Sequence, residues 1–275
     1  MTRLQIKTLS LIILFGFHLP ADAHKRWIFP GQFTLSETQW VSFDASVSNN
    51  IFFADRPWPL AAVQAFDPEG QVIDIENKLE GHRRSVFDVH LQQKGTYKIN
   101  HKSQNYMAFY EIEEDGEKQR KRERGQTLDE LKSKIPADAI APSYSFNNSR
   151  LETYVTVGAP TDQVFSLDGN GIEFKPVTHP NDLYAGETAT FQFYLDGKPA
   201  SDIEVSLVWS GTRYRNQEQA QTYTTDKQGN IMVELSQSGP FLIEIEHRIK
   251  LPENDMSGLQ SKSNSFFGSF EVLPQ

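Results

Sequence analysis

The 275-residue chain contains no cysteine. This excludes disulfides, thiolate catalysis, iron–sulfur clusters and soft cysteine metal sites. Any metal would have to be held by histidine, carboxylates, methionine, backbone groups or a terminal amine. Catalytic signatures are missing too. There is no Gly-x-Ser-x-Gly elbow, no phosphate-cradling glycine loop and no His-Glu-x-x-His, and the carboxylates are scattered without an evident acid–base pair. The expectation is a non-enzymatic protein. Positive charge is in deficit: 27 Lys and Arg against 36 Asp and Glu give a net charge of -9, which argues against nucleic acid or anionic lipid as a partner and admits cations. No apolar run reaches the ~20 residues that a membrane-spanning helix needs.

The longest such run, Leu9 to Phe17, has another use. Arg3 and Lys7 precede it, Pro20 comes after it, and Ala21-Asp22-Ala23 supplies small residues at the positions a signal peptidase reads. These are the three parts of a cleavable export signal, so residues 1–23 are expected to be removed and the mature chain to begin at His24. The absence of cysteine fits a bacterial periplasm.

The remainder reads as all-β. Short runs of Val, Ile, Phe, Tyr and Thr alternate with turn chemistry such as Asp67-Pro68-Glu69-Gly70 and Asp226-Lys227-Gln228-Gly229-Asn230. A weak internal repeat aligns Phe87 to Ile99 with Ile231 to Ile243. In each copy a strand ends in Leu91 or Leu235, Gly95 or Gly239 comes four residues on, and an aromatic, Tyr97 or Phe241, opens the next strand. This is how consecutive strands cross between the sheets of an immunoglobulin-like sandwich. Two sandwiches are therefore expected, at 24–111 and 171–275, separated by a charged helical and loop insertion at 112–170. Within it, Thr127 and Glu130 form a capping box that predicts a helix from Leu128 to Lys134. The basic run Lys118 to Arg124 reads as a solvated face or loop, and Pro142 to Arg150 as loop, with strand returning at Leu151.

One residue stands out chemically. Cleavage after Ala23 would give His24 a free α-amine beside its ring nitrogen, a chelating pair suited to Cu(II) or Ni(II). A second histidine would complete a histidine brace. Strand phase nominates His101, which continues the face of Tyr97 and Ile99, and His247, which continues that of Phe241, Ile243 and Ile245. His82, His90 and His179 read as solvated or locally satisfied. The aromatics Trp27, Phe29, Phe33, Trp40, Phe43, Phe52, Phe53 and Trp58 read mostly as core, with a ligand-stacking surface as the rival.

The mature start, HKRWIFP, resembles the His-x-x-Trp-x-x-Pro opening of domain-of-unknown-function family 4198. Tyr154 to Pro160 (YVTVGAP), Gly171 to Pro180 (GIEFKPVTHP) and Gly186 to Pro199 (GETATFQFYLDGKP) are similar to later motifs of the family, in the same order. The last module also resembles transthyretin-like and collagen-adhesin B-type repeats. The resemblance implies a periplasmic two-sandwich protein associated with nickel or cobalt ABC-type uptake, with His24 at the family's ligand position. The chain departs from the family at Ser48 to Pro57 (SNNIFFADRP), where Asn49 or Asn50 stands in place of a histidine. The leading expectation is an accessory protein that binds or delivers a divalent transition metal (Ni, Co, Cu or Fe). Its partner would be an inner-membrane transporter or an outer-membrane receptor. The alternatives are a carbohydrate- or protein-binding adhesion module and a histidine-brace copper enzyme.

Overall fold

A computed structural model describes residues 24–275; the expected export signal lies outside the described residues. The N-terminal part carries β1 (Lys25–Pro30), β2 (Thr34–Leu35), β3 (Gln39–Ser48), β4 (Arg56–Pro57), β5 (Val63–Phe66), β6 (Val72–Ile73), β7 (Glu76–Glu80) and β8 (Ser85–Leu91). The middle carries β9 (Gly95–Glu114), β10 (Glu117–Gly125), α1 (Leu128–Lys134) and β11 (Ile140–Val157). The C-terminal part carries β12 (Ile172–Pro176), β13 (Thr188–Leu195), β14 (Lys198–Pro199), β15 (Glu204–Trp209), β16 (Gln221–Thr224), β17 (Asn230–Glu234), β18 (Gly239–Lys250) and β19 (Ser261–Val272).

The strands form three sheets. A ten-stranded sheet has the order β16-β15-β18-β19-β11-β9-β5-β6, with β10 added on β9 and β2 on β11. A five-stranded sheet (β1-β3-β8-β7, with β4) packs on one part of it, and a four-stranded sheet (β12-β13-β14, with β17) on another. The two small sheets use opposite faces of the long one. One core gathers Trp27, Phe43, Phe87 and Tyr97 with Leu151, Leu242 and Phe267. The other gathers Phe174, Phe191 and Phe193 with Tyr154, Phe241, Phe266 and Phe270. Adjacent residues such as Phe241 and Leu242, or Phe266 and Phe267, thus feed different cores. Strands buried on both sides read as continuous apolar runs rather than alternating ones, as β18 (PFLIEI) and β19 (SFFGSF) do.

The repeat found in the sequence is structural. The step from β8 to β9 and the step from β17 to β18 each leave a small sheet and enter the long one. Gly95 and Gly239 take up φ of +126° and +120°, a region that favours glycine. A Cβ on Gly95 would also stand 2.6 Å from Pro68. The Tyr97 hydroxyl closes its corner, accepting from the Gln93 amide at 2.7 Å and donating to the Gln93 carbonyl at 3.0 Å. Helix α1 spans Leu128–Lys134, with Thr127 accepting from the Glu130 amide at 3.1 Å and Glu130 reaching back to the Gln126 amide.

The segment 112–170 departs from the linker expected. The run Lys118 to Arg124 lies in β10, paired antiparallel with the far half of β9, and Pro142 to Arg150 lies in β11, the central strand that joins both halves. Most of β10 is exposed, and charged side chains there protect an open edge, so the residues look like loop in sequence. Serine and asparagine in β11 mislead similarly, because read singly they favour turns.

Across that joint runs a buried ion-pair cluster. Arg150, on β11, reaches Glu152 at 3.3 Å, Asp168 at 3.0 Å and Glu173 at 3.6 Å. Glu173 in turn accepts from the amides of Asp168 and Gly169. The cluster ties the long sheet to the loop that enters the C-terminal small sheet.

Candidate functional site

The two residues after His24 fix its place. In β1, Lys25 is 8% exposed and its ammonium contacts Glu244 at 2.6 Å and Glu218 at 3.2 Å. Burial alone would lower the lysine pKa, but the two carboxylates together outweigh it and hold it above its ordinary value. Arg26 pairs with Glu246 at 3.6 Å and lies over the Phe267 ring at 4.5 Å. Two consecutive cations are thus anchored on β18, and the pairing of Lys25 with Ser48 brings His24 beside Asn49. The exposed His24 ring meets Asn49 through Nδ1 and Oδ1 at 2.6 Å. Asn49, one of the two asparagines in the segment where the chain departs from the family resemblance, is therefore the neighbour of the candidate ligand.

The other two nominated histidines lie elsewhere. His101 is buried, as its phase predicted, with its ring edge-on to Trp58 at 5.2 Å. Its Nδ1 has no partner, and burial, aided by the Arg26 charge, lowers its pKa to about 4. His247 is half-buried. Register places His101 in a row with Leu151, Phe267 and Glu244, whereas His247 shares a row with Asn264, Asn148 and Gln104. Alternation along β9 puts those rows on opposite faces of the sheet. His101 and His247 therefore cannot serve one centre. Among the described residues no group of three or more His, Cys, Asp or Glu side chains is arranged to hold a metal ion.

Of the remaining histidines, His179 is held by Thr96 and Asn181, and His90 is half-buried and stacked on Trp40 at 4.5 Å rather than solvated. Trp27, Phe33 and Phe43 are core, while Trp40 and Phe53 are exposed.

A further site was not read from the sequence. Beyond the end of the N-terminal core, the face that carries His101 continues as a polar trough of about 290 Å³. Its floor is Ser103 and Asn105 from β9, Asn147 and Ser149 from β11, and Ser263 and Ser265 from β19. Arg26, Trp58, Arg124 and Glu246 stand around it. Four of its polar atoms are buried without a partner: Trp58 Nε1, Asn105 Oδ1, Asn147 Nδ2 and Ser149 Oγ. The signal was present as two period-two runs of small polar residues, Ser145-x-Asn147-x-Ser149 and Ser261-x-Ser263-x-Ser265. These lie side by side in parallel register.

No curated protein matches the chain in sequence. Among solved structures, the D0-D1 domain of Intimin is similar over 88% of this chain and 96% of its own, at 10% identity and a TM-score of 0.20. A marsupial T cell receptor is similar over 92% of this chain and 72% of its own, at 11% identity and a TM-score of 0.21. Likeness this low carries no functional weight, and the all-β assignment stands on the strand pairing above. The family described as "Domain of unknown function (DUF4198)" matches residues 21–249, so the chain belongs to that family.

Proposed function

We propose that the protein is exported to the periplasm, processed after Ala23, and acts there without catalysis as an accessory that binds a divalent transition metal at His24 for transfer to a membrane partner. The observation that carries this reading is the anchoring of position 24. The tether through buried Lys25 and the contact of the His24 ring with Asn49 support a held rather than a frayed group at this position. A metal taken through Nδ1 would replace that contact, with the α-amine as second nitrogen and the Asn49 oxygen adjacent. An α-amine, with a pKa near ~8, gives up its proton readily for ligation. Such a donor set is exposed and incomplete, which suits a cargo that is handed on, since a partner can supply the remaining ligands.

Titration calorimetry on protein beginning at His24 tests the reading. Ni(II), Co(II), Cu(II) or Fe(II) should bind with a Kd below about 1 μM, and the His24→Ala form with the same terminus should lose that binding. An equal affinity in the two forms would remove His24 from the site.

A further inference from the structure

The trough beside Trp58 presents an unusual set of unmet hydrogen-bonding groups. Buried polar atoms are almost always paired, because each unpaired one carries its full desolvation cost. Here four lie in one recess. Trp58 Nε1 and Asn147 Nδ2 are donors, Asn105 Oδ1 is an acceptor, and Ser149 Oγ is both. Asn105 and Asn147 are direct cross-strand partners on the same face. The former is 9% exposed, so its unpaired oxygen has little access to solvent except through the recess. An unpaired acceptor next to an unpaired donor is the complement of one hydroxyl group, which donates to the first and accepts from the second.

We propose that this trough is a binding site for a small, neutral, hydroxyl-rich ligand, a mono- or disaccharide. Four features select that class. The lining mixes donors and acceptors, which suits groups that do both. Of the three charged side chains that line it, Arg26, Glu246 and Arg124, the first two already pair with each other at 3.6 Å. The apolar lining is sparse, Trp58 and Met107, which disfavours a greasy ligand. A volume of about 290 Å³ lies at the lower end of small-molecule sites, which run from ~300 to ~1,000 Å³. The site does not involve His24 and is independent of metal binding.

The test is a panel of neutral mono- and disaccharides titrated into the full processed chain, read by tryptophan fluorescence and by saturation-transfer NMR, with and without chelator. At least one sugar should bind with a Kd below about 1 mM. Asn147→Ala should weaken it about tenfold or more, and Ser149→Leu, which fills the recess, should abolish it. Trp58→Phe should silence the fluorescence change. Thermal melts of each variant confirm that the fold is retained. The proposal is overturned if no sugar binds at about 10 mM, if binding survives both Asn147→Ala and Ser149→Leu, or if chelator abolishes it. A crystal structure showing only ordered water in the trough at saturating sugar would overturn it as well.

Discussion

Replacing Arg150 with methionine tests how the two halves are joined. Methionine keeps much of the length of the side chain and removes its charge and its donors. The side chain of Arg150 is 7% exposed, and those of Glu152 and Glu173 are 2% exposed. Without the guanidinium, both glutamates are left as buried carboxylates, and the Asn170 carbonyl loses its donor. Removing one partner of a buried ion pair costs about 3–5 kcal/mol. At roughly 2–4 °C per kcal/mol for a chain of this size, the melting temperature should fall by about 6–20 °C. The loss should also depend on pH. Burial already pushes the Glu173 carboxyl above its ordinary value, and losing the Arg150 charge that opposes this should raise it further, so the folded variant holds the extra proton. The deficit should therefore be full at pH 8 and shrink as pH falls toward 5. Asp168 should contribute less, because Lys102 still faces it. In the wild type, Lys102 and Arg150 outweigh partial burial and hold Asp168 well below the usual carboxylate range. Calorimetric melts at the two pH values are the assay. A deficit under about 1 kcal/mol, or one equal at both pH values, would refute the cluster as a joint.

Other perturbations act on single named contacts. Tyr97→Phe removes a hydroxyl that makes two backbone hydrogen bonds and should cost about 1–2 kcal/mol by denaturant unfolding, with packing unchanged. Gly268→Ala places a Cβ 2.5 Å from the Phe270 ring and 2.8 Å from that of Phe266, both fully buried, and should lose about 1–3 kcal/mol by the same measurement. His101 has a folded pKa of about 4 against ~6.5 unfolded, so the native state binds fewer protons below pH 6.5. Stability should hold above that pH and fall by about 2–3 kcal/mol by pH 4.5. A folded His101→Leu variant should lack that part of the slope.

The sequence carried the local logic well. The Leu-x-x-x-Gly-x-aromatic corners, the Thr127 cap and the inward phase of His101 all depend on neighbours within a few residues, and all are present. The shared sheet was not legible, because it depends on a parallel pairing between β11 and β19 more than a hundred residues apart. With the first half of β11, Pro142 to Arg150, read as loop, the two sandwiches had to be separate. Strand phase could then say that His101 and His247 faced inward, but not that "inward" points opposite ways on a sheet serving two cores. The trough escaped for a related reason. Serines and asparagines mark turns when read singly, and only cross-strand register turns them into a surface. His24 was singled out as a candidate ligand from chemistry alone, whereas the anchoring of its neighbour Lys25 by Glu244 joins residues 219 apart in sequence.

We propose that cleavage after Ala23 exposes a metal ligand at His24. Intact-mass spectrometry of protein recovered from the periplasm, with metal analysis on the same sample, tests it most directly. The expected result is the mass of residues 24–275 carrying one equivalent of a divalent transition metal, and none in the His24→Ala form. A full-length mass retaining Met1, or a processed chain that stays metal-free after exposure to Ni(II), Co(II), Cu(II) and Fe(II), would contradict it.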